Sequence, residues 1–595
     1  MSVNARSARS GLTPLCSFII IIIGVCATEA RGEERPTRPN VLMTASATEA
    51  VTAGKQAPRE VAFPGGPAWG GRSISAEPDG TWERFTTQSG DEGEGTTQVC
   101  VTESADMGAT WSKPKVLGTI GGSGFGGTAA IVTPKGEVHL FMTKTRWVGE
   151  GKAPAINRFI DVWYTKSSNG RTEWTNPRAV FEGYVGALCN GAYLKSGRMI
   201  LPFAMMIGGR AAGPPIGRNE TIVLYSDDDG ETWPMAPARL VAPVEPNYNG
   251  SSEGACEPSV VQLKDGRVWM LMRTQTGFLY ESWSNDGVAW SDAKPSQFHA
   301  STGPPYLIRL KDDRIALFWN NCEMPPRVDG DGVYGGRDAL HAAIGDPEAK
   351  HFTGFREIYL DPTRHTTPPK SGDRGTAYPD AVLTADGRIG VSSGQGGRRA
   401  VMIVDPAWLM ETSRASDFSD GLASWCAYKG FGKATGWWRD RVQGAQLVDH
   451  PGKAGAKVLH VRRPDEKDPD GATWNFPMGR SGKLVARVMM KEGSLGGNLA
   501  LADRFFDPCD TTCDAKALFL FPIDRLKPGV WHEIVLQWDV GTRTCRVTID
   551  GSESPSLTMA HDTPTGVSYV RFRSTAPESD SAGFVVESVR ADVQP

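Results

Sequence analysis

Glu257-Pro-Ser-Val-Val-Gln-Leu-Lys-Asp265-Gly266-Arg-Val-Trp-Met-Leu-Met-Arg273 reads as two short apolar strands joined by a tight Asp-Gly turn. A carboxylate opens the first strand and a guanidinium closes the second, sixteen residues later. In a hairpin those ends lie side by side, so Glu257 and Arg273 are expected at one edge of one sheet. Taken alone, the ordinary surface charges of a half-exposed hairpin would account for the pair. The recurrence of the pattern changes that reading.

Apolar run, turn and apolar run appear six times, turning at Asp79-Gly80, Lys135-Gly136, Ser196-Gly197, Asp265-Gly266, Asp312-Asp313 and Asp386-Gly387. Short hydrophobic strands follow, among them Val138-His-Leu-Phe, Val268-Trp-Met-Leu-Met and Ile315-Ala-Leu-Phe-Trp. Successive turns are 47 to 74 residues apart. Strand-rich units at that period, with no 3.6-residue patterning between them, predict four-stranded propeller blades, six in number.

A second repeat lies between the turns. Ser104-Ala-Asp106-Met-Gly108-Ala-Thr110-Trp111 and Ser226-Asp-Asp228-Asp-Gly230-Glu-Thr232-Trp233 share S-x-D-x-G-x-T-W. Asn285-Asp-Gly287-Val-Ala-Trp290 is a weaker copy, and Ser167-Ser-Asn169-Gly170 with Trp174 is weaker still. The pattern describes a self-contained turn: Asp accepts local N–H groups, Gly takes the left-handed dihedral and Trp packs beneath. Its aspartates are therefore expected to be structural rather than catalytic. This is the Asp-box, and through it the chain resembles the sialidases over about residues 60–410.

The 595 residues exceed what one core accommodates. Net charge is −4 and 39% of residues are hydrophobic, so no basic excess points to nucleic acid or an anionic membrane. Sixty-nine glycines and eighteen tryptophans fit a turn-rich, all-β protein. Residues 1–30 carry Arg6 and Arg9, an apolar run from Leu15 to Val25 and then small residues, with cleavage expected after Ala27 or Ala30. They read as a secretory signal, too short to span a bilayer comfortably. Its removal would leave a secreted or periplasmic protein without a membrane span. Residues 31–59 read as a linker, 60–412 as the propeller and 417–595 as an antiparallel β-sandwich. Within the last, Trp531-His-Glu-Ile-Val-Leu-Gln-Trp538 and Ile549-Asp-Gly551 resemble a concanavalin- or laminin-G-like jelly roll.

Ten cysteines are present, and Cys509-x-x-x-Cys513 is spaced to close a small disulfide loop. Nine scattered histidines with no H-x-x-x-H pair predict neither a metal nor any other cofactor. Two tempting motifs lack their context. Gly250-Ser-Ser252-Glu-Gly254 and Gly122-Ser-Gly124-Phe-Gly-Gly127 both lead into strands, where a nucleophile elbow or a dinucleotide fingerprint requires a helix.

In a propeller the innermost strands begin at one end of the central axis, so equivalent starting positions converge there. Glu257 and Tyr378 each lie eight residues before the Asp of their turns, and Arg72 lies seven before Asp79. A glycosidase cleaving beside a substrate carboxylate is served by a neutral Tyr with a Glu base, because a carboxylate nucleophile would be repelled. Planar arginine forks suit the sugar acid. The resemblance to sialidases then implies roles: Tyr378 nucleophile, Glu257 its base, and Arg273 and Arg337 (in Gly336-Arg-Asp-Ala-Leu-His341) two of three clamp arginines. Arg72, in Gly71-Arg-Ser-Ile-Ser75, is the first arginine, without the proline the family usually carries. The general acid falls to Asp91, with Asp161 in reserve; Asp91 is equally readable as part of a solvated acidic loop. The expected activity is retaining exo-sialidase action on terminal sialic acids of sialylated glycans. Alternatives are a glycosidase of the same fold acting on another acidic sugar, and a non-catalytic glycan-binding propeller.

Overall fold

A computed structural model describes residues 57–62, 74–77, 79–89, 95–147, 158–207, 218–244, 253–323, 336–367, 375–395, 399–435 and 438–594. Within them lie six sheets, antiparallel but for one parallel pairing of Arg218–Ser226 with Glu253–Gly254, whose first strands are Ile74–Ala76, Phe125–Val132, Ala192–Tyr193, Cys256–Gln262, Tyr306–Arg309 and Asp380–Leu383. These are numbered blades 1 to 6. Each first strand packs against a neighbouring sheet in turn, and Asp380–Leu383 packs against Ile74–Ala76, so the series closes into a ring. The strand Arg59–Val61 supplies the outer edge of blade 6 by pairing with Ala400–Val404. The N-terminal end of the propeller thus completes its last blade.

The turns form for a local reason. Asp79, Asp265, Asp312 and Asp386 each accept the N–H two residues on, at 2.9, 3.0, 3.2 and 3.3 Å. The Asp-boxes do the same on a larger scale. Asp228 accepts Ser226 Oγ (2.8 Å), Thr232 N (2.9 Å) and Thr232 Oγ1 (2.6 Å), while Gly230 N donates to Ser226 Oγ (2.8 Å). Asp106 repeats that set with Ser104 and Thr110.

Each box also grips the preceding blade. Trp111 Nε1 donates to Ala62 O beside the closing strand of blade 6 (2.8 Å). Trp233 of blade 3 meets Phe141 of blade 2 edge-on, ring centroids 4.9 Å apart. Gly287 of blade 4 lies against Ile200 and Leu194 of blade 3. The boxes are therefore rim staples between blades.

After Val404 a short helix, Pro406–Leu409, capped by Asp405 accepting Ala407 N (2.8 Å), leads out of the propeller. From Ser413 onward the chain builds two facing antiparallel sheets. The larger includes Lys457–Arg463, Ser481–Met490, His532–Asp539 and Asp580–Gln594; the smaller includes Gly471–Gly479, Gly497–Ala502 and Val567–Ser574. Trp425, Trp474, Phe476, Trp538, Phe572 and Phe584 fill the space between them. This is a β-sandwich.

Cys509 and Cys513 are free, buried thiols, so the disulfide loop suggested by their spacing is absent. Cys509 Sγ instead accepts Gly430 N (3.2 Å) and approaches Asp507 Oδ1 (3.2 Å). Cys513 lies in the 3₁₀ segment Thr511–Lys516. Both belong to an apolar cluster shared with propeller residues Cys322, Ala339 and Leu360.

Gly230 tests the staple. Its φ is +81° and a Cβ there would lie 1.9 Å from Tyr164 Oη of blade 2. Gly230→Ala should destabilise the protein by about 2–3 kcal/mol through strain and overpacking. An unchanged urea midpoint would mean that the box does not clamp the blades.

Candidate active site

Glu257 enters blade 4 and Tyr378 precedes the first strand of blade 6 by two residues. Both carry left-handed backbones, with φ +42° and +58°. The ladder of blade 4 is irregular between Cys256 and Ser259, and Cys256 pairs with Arg273 across the hairpin. The strand irregularity turns Glu257 out of the regular alternation.

The three side chains meet. Tyr378 Oη donates to Glu257 Oε1 at 3.0 Å. Arg273 Nη1 donates to Glu257 Oε2 at 2.6 Å and lies 3.4 Å from Tyr378 Oη. Glu257 and Arg273 are 3% and 1% exposed, whereas Tyr378 is partly exposed. The phenol thus faces outward with a carboxylate and a guanidinium behind its oxygen. That set can take a phenol proton and stabilise the oxygen left behind.

Arg337 lies over the Tyr378 ring, its guanidinium carbon 5.6 Å from the centroid. Its Nη1 donates to Gln395 Oε1 and its Nη2 to Thr302 O, both at 2.5 Å. The Arg337 carbonyl accepts Thr376 N at 2.7 Å. Blade 6 passes so close that a Cβ on Gly375 (φ +97°) would stand 2.3 Å from that carbonyl, which only glycine permits. The approach ties Arg337 to the segment carrying Tyr378.

Arg399 escaped the sequence reading. Its Nη2 donates to the Tyr378 carbonyl (3.0 Å) and to Ser392 Oγ (2.9 Å), and its Nη1 donates to Gly394 O (3.2 Å). It fixes the left-handed backbone of Tyr378. The repeat held the signal: Arg399 leads the third strand of blade 6, Ala400–Val404, much as Arg337 leads the third strand of blade 5, Ala339–Gly345.

Arg72 and Asp91 lie outside the described residues. Asp161 does not join the cluster. Its oxygens take Arg146 Nε (2.8 Å), Arg146 Nη2 (3.2 Å) and Gly183 N (2.9 Å), all from its own blade. An aspartate so paired on a third strand is anchored within its own blade. Among the described residues no group of three or more His, Cys, Asp or Glu could hold a metal ion, and no helix is long and apolar enough to cross a membrane.

Residues 80–391, more than half of the chain, match the BNR repeat-like domain. The chain belongs to that family. Among solved structures it is similar to the Trypanosoma rangeli sialidase, at 13% identity over 90% of this chain and 94% of that one, with a TM-score of 0.38. The complex of that sialidase with the inhibitor DANA gives 14% identity, 90% and 94% coverage, and a TM-score of 0.39. A protein of unknown function from Dyadobacter fermentans DSM 18053 gives 16% identity, 58% and 99% coverage, and a TM-score of 0.42. No curated protein matches the chain.

Two residues beyond Tyr378 in this BNR-repeat protein, Asp380 accepts Ile74 N at 2.9 Å. Burial raises its carboxyl to about 7, against the opposing pull of Arg399. From its ordinary value of 3.8 up to about 7, the folded chain holds a proton that the unfolded chain has released. The stability from this group is therefore full below the ordinary value and is lost as pH rises through about 7. Glu357, also raised to about 7 by burial, contributes with the same sign. Asp380→Asn should flatten part of the fall in Tm between about pH 4 and 7; an unchanged slope would mean that Asp380 is ionised throughout.

Proposed function

We propose that this BNR-repeat protein is a retaining exo-glycosidase of acidic sugars, releasing terminal sialic acids from glycoconjugates. The observation that carries the reading is the 3.0 Å hydrogen bond from Tyr378 Oη to Glu257 Oε1 with Arg273 beside it. A phenol ordinarily loses its proton near pH ~10, so a neutral-pH nucleophile needs a base in contact. A pure binding site has no need of that pairing.

In the first step Tyr378 Oη bonds to the anomeric carbon as its proton passes to Glu257. The glycosidic C–O bond breaks, and the leaving oxygen takes a proton from the acid, the role assigned to Asp91. Water, giving a proton to the carboxylate left at Asp91, then attacks the same carbon from the vacated side, releasing Tyr378, which recovers its proton from Glu257. Two inversions give retention. Arg273 and Arg337 hold the sugar carboxylate, with Arg72 as the third donor, since guanidinium forks match carboxylates in plane. We place the mature protein outside the cytoplasm after loss of residues 1–30, and read residues 417–595 as the concanavalin-like accessory module.

Tyr378→Phe should lower turnover of an aryl sialoside by at least about 10³-fold while leaving binding of free sialic acid within about threefold of wild type. Undiminished hydrolysis by this variant would overturn the mechanism. Assaying wild type on a panel of sialosides and uronides identifies the sugar; release of uronic acid alone would assign another acidic substrate, and release of neither would leave a glycan-binding propeller.

The acid has its own signature. Asp91→Asn should slow substrates with poor leaving groups by about 10²-fold and activated aryl glycosides far less, because the latter depart with little protonation. Equal losses on both would remove Asp91 from the role.

A further inference from the structure

The sandwich contacts the propeller at blade 5, and one contact adjoins the proposed clamp. Asp338, the residue after Arg337, is buried. Its Oδ1 accepts Arg441 Nη1 at 2.8 Å, and its Oδ2 lies 3.2 Å from Tyr428 Oη. Tyr428 Oη also lies 2.9 Å from Asp507 Oδ2. The Arg441 guanidinium stacks on the Tyr428 ring, 3.9 Å from its centroid. Both residues sit on the hairpin of Tyr428–Thr435 and Trp438–Gln443, which pairs apart from the two main sandwich sheets.

That hairpin is itself fixed to the propeller. Thr367 Oγ1 donates to Arg441 O (2.9 Å) and accepts Arg441 N (3.2 Å). Arg364 Nε donates to Trp425 O (2.9 Å), and Ala427 N donates to His365 Nε2 (3.0 Å). Around Arg337 three consecutive carbonyls are held by separate segments: Gly336 O by Ser301 Oγ (2.6 Å), Arg337 O by Thr376 N (2.7 Å) and Asp338 O by Asp361 N (2.7 Å). Of the triplet's side chains, Arg337 is held within the propeller by Gln395 and Thr302, and Asp338 is bound by the sandwich.

A buried ion pair is poor evidence of stabilisation, since desolvation offsets most of its attraction, and its best-attested use is to fix one arrangement over others. We propose that Arg441 and Tyr428 are positioning residues for acidic-sugar recognition: by holding Asp338 they set the direction of Arg337, which makes the sandwich a working part of the site. This rests on the clamp role given to Arg337 above.

The test is calorimetric binding of N-acetylneuraminic acid and its methyl ester to the full chain. Wild type should prefer the acid. Arg441→Gln should weaken acid binding about tenfold, in the range of couplings carried through one intermediary residue, and leave ester binding nearly unchanged. Arg441→Lys should restore part of the loss. If Arg441→Gln fails to fold, Tyr428→Phe and Asp338→Asn carry the test through the same ratio of acid to ester affinity. Folded variants that retain the wild-type preference, or lose acid and ester equally, overturn this inference alone. Wild type that treats acid and ester alike overturns the clamp, and this inference with it.

Discussion

Everything at the candidate site depends on burying Arg273 against Glu257. Two charges taken out of water are tolerated only when geometry is good and the remaining donors and acceptors are satisfied. The pair meets at 2.6 Å with 1% and 3% exposure, and the second carboxylate oxygen takes the Tyr378 phenol. In the proposed reaction a substrate carboxylate beside Arg273 competes with Glu257 for that guanidinium. One guanidinium thus serves both the base and, in that reaction, the sugar acid.

The backbone contributes as much as the charges. Glu257 and Tyr378 both sit at positive φ, a conformation that costs a non-glycine residue on the order of 1–3 kcal/mol and persists only where surroundings over-determine it. At Tyr378 the surroundings are Arg399 on the carbonyl and, close by in sequence, Gly375 against Arg337. At Glu257 they are the irregular start of the blade 4 ladder and its pairing with Arg273. Equivalent positions in two blades thus share an unusual conformation.

The propeller was legible because its signals are local. A turn Asp binds an N–H two residues away, and an Asp-box closes within eight residues, so both leave a fixed spacing in the sequence. The pairing of Glu257 with Tyr378, 121 residues apart, was legible only because a repeated fold converts equal offsets into convergence. Arg399 was missed because it acts on a backbone carbonyl rather than through a recognisable motif. The spacing of Cys509 and Cys513 misled because it says nothing of the apolar cluster that buries both thiols. Nothing in the sandwich sequence marks Arg441 or Tyr428 as partners of a propeller aspartate.

The destination of a carboxylate's hydrogen bonds distinguishes the turn acids of this chain from those that join separate elements. Asp106 and Asp228 each accept three hydrogen bonds from within four residues, all on their own box. Asp161 reaches only 15 and 22 residues away, still inside one blade. Glu257 is held by side chains 16 and 121 residues distant, and Asp338 by side chains 90 and 103 residues distant. Local bonds form whenever the turn forms, so they serve the turn. Long-range bonds exist only in the finished fold, and they fix how separate elements face one another. By that measure Asp338 belongs with Glu257, and the sandwich hairpin that binds it belongs with the blades that build the site.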